Sequence, residues 1–127
     1  MKIFFKQWFV LLAALLLSCA VQAKGPVRAD DAITVVALAS LPPEVGQVLA
    51  QIKQGGPYAF AKDGIVFGNY EGVLPRQKRG YYHEFTVKTP KARNRGARRI
   101  VAGGNPQTSG EYYYTKDHYR TFQRIKE

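Results

Sequence analysis

A change of period part-way along this chain limits the folds open to it. Val45, Val48, Leu49 and Ile52 recur at i, i+3, i+4 and i+7, which makes one apolar stripe on a helix. Pro42 and Pro43 suit the first turn, Ser40 stands near the N-cap, and Glu44 suits the positive end of the helix dipole. Gly55, Gly56 and Pro57 then stop the helix. Beyond them the stripe does not return. Short runs at 65–67, 81–89, 98–102, 111–114 and 119–125 follow, separated by glycine-, proline- and asparagine-bearing turns, and these read as strands. A further short strand at 33–38 precedes the helix. The pattern predicts an α+β fold, with one main N-terminal helix packed on a small twisted antiparallel β-sheet. No internal repeat is present, and 33–127 reads as a single domain.

The segment ahead of that domain reads as an address. Lys2 and Lys6 give a positive start, the run from Trp8 to Leu17 is apolar and uncharged, and Val21-Gln22-Ala23 supplies the small residues that a signal peptidase reads. The apolar run falls short of the roughly 20 residues that a membrane span needs. Residues 1–23 are therefore expected to be a signal peptide cleaved near Ala23, with 24–32 a flexible lead-in. The product would be secreted or periplasmic, without stable membrane association. An uncleaved anchor, or lipid attachment at Cys19, are the competing uses of the same segment.

The single cysteine of the chain is Cys19. Once the leader is removed, no thiol remains for a disulfide, a nucleophile or a metal site, and the domain must hold together by packing. The full chain carries a formal net charge of +10. Lys2 and Lys6 belong to the leader, so most of that excess stays with the domain. So basic a domain favours polyanionic partners such as nucleic acid or acidic surfaces.

The charge is concentrated in one stretch, YYHEFTVKTPKARNRGARR, from Tyr81 to Arg99. Strand alternation puts Tyr82, Glu84 and Thr86 on one face and Tyr81, His83, Phe85 and Val87 on the other, which reads as the core side. His83 is then expected to be a satisfied structural histidine. His118, the other of the chain's two histidines, lies in a polar turn, where loops tend to carry function. A carboxylate ordinarily titrates near 4.3 and an imidazole near 6.5, so between those values the pair supplies a base and an acid. RNA offers an oxygen to each on one phosphodiester: the attacking 2′-hydroxyl and the departing 5′-oxygen. The nucleophile is tethered to its target, so no metal is needed to generate one. Arginines can grip the phosphate bidentately and stabilise the charge growing on its oxygens.

From about Leu38 to Ile125 the chain resembles the small secreted guanyl-specific ribonucleases of bacteria, the group that includes barnase. The LPPE helix start, DGIVFGNYEGVLP, YYHEFTVKTPKARNRGARRIV and YYYTKDHYRTF carry the resemblance in order. It implies the microbial ribonuclease fold, with Glu84 as general base, His118 as general acid, and Arg95 and Arg99 as phosphate-binding arginines. It also implies a guanine site at Gly68, Asn69, Tyr70 and Glu71, with Phe67 and Tyr119 packing near the base and the phosphate. No cofactor and no metal are implied. The expected substrate is single-stranded RNA, cut 3′ of guanosine through a 2′,3′-cyclic phosphate by a monomeric enzyme. A small acidic, barstar-like inhibitor is a further expected partner. Two other uses fit the same residues less fully: a catalytically silent cationic protein that binds RNA or an anionic envelope, and the same enzyme deployed as an antibacterial toxin.

Overall fold

The computed structural model describes residues 33–127. The expected signal peptide and the whole of the expected lead-in lie outside the described residues. The elements run β1 (Thr34–Ala37), a 3-10 turn (Leu38–Ser40), α1 (Pro43–Gln54), β2 (Val66–Phe67), β3 (Tyr82–Thr86), β4 (Arg99–Gly103), β5 (Tyr112–Thr115) and β6 (Gln123–Lys126). The six strands form one sheet in the order β1-β6-β5-β4-β3-β2. Every neighbouring pair is antiparallel except β1 and β6, which run parallel. The expected α+β architecture is present, with a parallel edge that period counting does not reveal.

Helix α1 forms where the apolar stripe placed it. Pro43 stands at the first position and Glu44 in the first turn, while Gly55 closes the helix in the left-handed region at φ 80°. A residue with a Cβ pays a steric penalty there that glycine avoids. Ser40 does not cap the helix. The N-cap is Pro42, which has no side-chain cap bond, and the Ser40 hydroxyl donates to Ala37 O at 2.7 Å. The proline pair sets the entry of the chain, and Ser40 is spent on the 3-10 turn before it.

The two faces of the sheet build two apolar clusters. On the helix side Val45, Leu49 and Ile52 meet Phe85, Val87, Ile100, Ala102, Tyr112, Tyr114 and Ile125. On the other side Tyr82, Val101 and Tyr113 are covered by Leu74 and Phe122. The alternation expected for β3 holds from Tyr82 onward, because Phe85 and Val87 face the helix while Tyr82 faces away; Tyr81, expected on the helix side, precedes the strand and packs with the Tyr82 cluster instead. The face shared by Tyr82, Glu84 and Thr86 is therefore not simply a wet one. Tyr82 is buried at its start, and the polar pair continues the same row. His83 departs from expectation: it is only partly buried, and its Nδ1 lies buried with no hydrogen-bond partner among the described residues. It stands opposite Val66 of the two-residue strand β2.

Apolar burial of this kind contributes about 25 cal/mol per Å², and deleting it leaves a cavity as well. Ile52→Ala, at a fully buried position of α1, is expected to cost about 2–5 kcal/mol in a urea titration. Val35→Ala on β1, where the side chain is 59% exposed, should stay within about 0.5 kcal/mol of the parent.

Candidate active site

Strands β3 and β4 set the floor of the site. Their register pairs Thr86 with Arg99 and Glu84 with Val101, so Glu84, Thr86 and Arg99 rise from the same face. Thr86 organises its neighbours. Its Oγ1 accepts two bonds from Arg95, from Nε at 3.1 Å and Nη2 at 2.8 Å. That grip brings Arg95 Nη2 to 3.9 Å from Glu84 Oε1, an ion pair in which the carboxylate side chain is only 12% exposed. Arg99 is buried, and its Nη1 donates to Gly96 O at 3.0 Å and Arg98 O at 2.8 Å. Its Nε is buried without a partner among the described residues. Three expected residues, Glu84, Arg95 and Arg99, are thus gathered by one pair of strands and the loop between them.

Asp63, read from sequence only as half of a turn, ties this floor to the segment before β2. Its Oδ1 accepts from the Thr86 N–H at 2.7 Å and its Oδ2 from the Phe60 N–H at 3.2 Å. The Phe60 ring in turn lies 6.0 Å from the Arg95 guanidinium. The Asp-Gly pair hid this second use, because turn chemistry alone explains both residues.

His118 and Tyr119 are displayed by the turn between β5 and β6. Both sit in the left-handed region, at φ 56° and 72°, where a residue with a side chain is held at a cost of about 1–2 kcal/mol. A local clamp meets that cost. Asp117 Oδ1 accepts from the Thr115 hydroxyl and the Thr121 N–H, both at 2.9 Å, and Oδ2 accepts from the Thr121 hydroxyl at 2.6 Å. Thr115 Oγ1 also accepts from the Tyr119 N–H at 3.1 Å, and the His118 N–H donates to Ala97 O at 3.0 Å. The result leaves His118 exposed, with its ring 4.7 Å from that of Tyr119. Burial, then the charge of Glu84, push the Tyr119 hydroxyl up to about 12, with Arg99 opposing. Tyr119 is therefore a neutral phenol in contact with both Glu84 and Arg99.

A cleft of about 350 Å³ opens beside these residues, lined by Phe67, Asn69, Tyr70, Glu71 and Val73 on one part and His118, Tyr119, Arg120 and Phe122 on another. Glu84, Arg95 and Arg99 do not line it; Tyr119 connects them to it. Gly68 stands between two lining residues without lining the cleft itself. Asn69 shapes the loop: its amide donates to Leu74 O at 3.0 Å and Pro75 O at 3.4 Å, its Oδ1 accepts from the Leu74 N–H at 3.1 Å, and its own φ is 50°. The Phe67 and Tyr119 rings stack at 4.9 Å and 25°. Among the described residues, no group of three or more His, Cys, Asp or Glu side chains gathers as a metal-binding cluster would.

Residues 25–126 match the sequence model of the family described as ribonuclease. The chain belongs to the ribonuclease family. Its curated relatives include guanyl-specific ribonuclease St of Saccharopolyspora erythraea, 53% identical over 88 residues that span 69% of this chain and 83% of that one. Guanyl-specific ribonuclease Sa of Kitasatospora aureofaciens is 50% identical over 95 residues, 75% of this chain and 96% of the relative. Among solved structures, ribonuclease Sa2 in its mononucleotide complexes aligns with a TM-score of 0.71 at 44% identity, covering 81% of this chain and 98% of that one. A second Sa2 structure, with guanosine-2′-cyclophosphate, aligns with a TM-score of 0.67 at 46% identity over 74% and 96% of the two chains. These ribonucleases share the α+β fold described above.

The clamp around His118 carries a pH signature. Hydrogen bonding from the Thr121 hydroxyl, then from its N–H, holds the Asp117 carboxyl down at about 2. A depressed folded value stabilises the fold above the ordinary carboxylate value of about 3.9, and that stabilisation is lost as pH falls through about 2. Asp117→Asn should therefore lower the urea midpoint at pH 7, with the gap from the parent closing between about pH 4 and pH 2.

Proposed function

We propose that this chain is an exported, monomeric endoribonuclease that cuts single-stranded RNA 3′ of guanosine without a metal ion. Glu84 takes the proton from the 2′-hydroxyl, whose oxygen attacks the adjacent phosphorus. The bond to the 5′-oxygen breaks as protonated His118 donates to it, leaving a 2′,3′-cyclic phosphate. Water then opens the cyclic phosphate with the roles reversed: His118 takes its proton and Glu84 returns one to the 2′-oxygen. Arg95 and Arg99 hold the phosphate and stabilise the charge that grows on its non-bridging oxygens.

The observation that carries this reading is the convergence of Glu84, Arg95 and buried Arg99 on one strand face beside the cleft that holds His118. A carboxylate beside two guanidiniums suits a reaction whose substrate brings its own phosphate and its own nucleophile. The Asn69–Glu71 loop suits guanine. Backbone N–H groups at Asn69 and Tyr70 meet O6, and the Glu71 carboxylate accepts from N1–H and N2–H. Adenine reverses that donor and acceptor pattern and would leave polar groups unpaired, a mismatch that discriminates strongly. Phe67 offers a ring to the base and Tyr119 a neutral hydroxyl to the phosphate. The half-identical guanyl-specific relatives support the same preference.

Export follows from the expected signal peptide, which would deliver the enzyme to the periplasm or the medium. The domain's basic surface also suits capture by a small acidic inhibitor protein through complementary charge.

The deciding experiment compares cleavage of GpC and ApC in the presence of EDTA. GpC should be cut and ApC barely touched. Equal rates on the two, or a requirement for a divalent ion, would overturn the proposal. Glu84→Gln should lower kcat on GpC by about 10²–10⁴.

A further inference from the structure

Thr86 has no part in the proposed reaction, yet its side chain is spent on a residue that has one. It is only 3% exposed, and a hydroxyl oxygen has two lone pairs to offer. Arg95 takes both, through Nε at 3.1 Å and Nη2 at 2.8 Å. The other donors of that guanidinium have no hydrogen-bond partner among the described residues. The backbone of Thr86 is itself fixed. Its N–H donates to Asp63 Oδ1 at 2.7 Å, and the strand register sets it opposite Arg99.

The distance that this grip leaves matters as much as the grip. Arg95 Nη2 stands 3.9 Å from Glu84 Oε1, beyond hydrogen-bond reach. A free guanidinium and carboxylate favour direct contact at about 2.7–2.9 Å. Their attraction strengthens where water is scarce, and the Glu84 side chain is only 12% exposed. The Thr86 hydroxyl is the group bonded to the arginine, and so the one that holds the two apart. Being neutral, it anchors Arg95 without cancelling its charge, as a carboxylate in its place would.

We infer that Thr86 is a positioning residue that keeps Arg95 off Glu84. A direct pair would lower the basicity of the carboxylate that takes the 2′-hydroxyl proton. It would also withdraw from the phosphate the donors that Arg95 leaves free. Thr86 thus preserves a base and an anion grip side by side, where their opposite charges favour mutual neutralisation. The inference rests on the roles of Glu84 and Arg95 proposed above and adds the group that lets both operate.

The test is the pH profile of kcat/KM on GpC for the parent, Thr86→Val and Thr86→Ser. Besides Arg95, the groups around Glu84 are Arg99 of β4 and the phenol of Tyr119, with His118 beside it on the same turn. Asp63 bonds the backbone of Thr86, which both substitutions retain. Thr86→Val removes the hydroxyl, so Arg95 closes on Glu84. The acidic limb should move to lower pH and the plateau should fall by about 10²-fold. Affinity for guanosine 3′-monophosphate should fall as well, with affinity for guanosine unchanged. Thr86→Ser should restore the parent profile. An acidic limb that stays in place or moves to higher pH in Thr86→Val overturns the inference. So does a variant that binds guanosine and its 3′-monophosphate equally more weakly, since Thr86 would then serve the fold alone. A parent that leaves GpC intact contradicts the proposed activity itself, and the inference with it.

Discussion

A buried guanidinium governs how this site is built. Arg99 opens the central strand β4 and is only 3% exposed. An arginine cannot shed its charge by deprotonating. Taking such an ion out of water costs several kcal/mol unless fixed partners replace the lost hydration. Two carbonyls, of Gly96 and Arg98, supply part of that replacement through Nη1. Nε is left with none among the described residues. The remaining charges are arranged around that deficit. Thr86, opposite Arg99 in the sheet, fixes Arg95, and Arg95 faces Glu84. A bound phosphate would complete what the protein leaves undone, in a setting where charge–charge interactions are stronger than in water.

Around this floor the polar turns do the work of aiming. Asp63 reaches across to the Thr86 N–H, and Asp117 closes the turn that displays His118 and Tyr119 in left-handed geometry. Both carboxylates act on backbone donors, and neither belongs to the proposed reaction. The arrangement separates stability from chemistry. The helix-side cluster secures the sheet, and short side-chain clamps then pin two loops, one of which holds His118 and Tyr119 in left-handed geometry. Tyr119 joins the two regions, with its ring on Phe67 in the cleft and its hydroxyl beside Glu84 and Arg99.

Much of this was legible in the sequence because it depended on periodicity. The stripe of Val45, Leu49 and Ile52 determined which helix face is buried, and strand alternation assigned Glu84 and Thr86 to one side of β3. The resemblance to guanyl-specific ribonucleases implies Arg95 and Arg99, and the structure brings both to the face that carries Glu84. What no local pattern reveals depends on contacts between residues distant in sequence. Thr86 reads as an ordinary strand residue until Arg95 folds back onto it. Asp63 explains itself as a turn and so conceals its bond to Thr86. The parallel pairing of β1 with β6 joins the two ends of the described chain, and no local pattern encodes it. Ser40 failed as a cap because a nearer acceptor, Ala37 O, took its hydroxyl. Face alone predicts a satisfied place for His83, but alternation says nothing of hydrogen-bond partners, and its Nδ1 has none among the described residues.

The proposed phosphate site is formed by Arg99 and Arg95 beside Glu84, next to the proposed guanine cleft. A crystal structure of the protein with guanosine 3′-monophosphate tests it most directly. The phosphate should sit against Arg95 and Arg99, with Arg99 Nε donating to one of its oxygens and the base edge against Glu71. A phosphate bound elsewhere, with Arg99 Nε still unpaired, would contradict it.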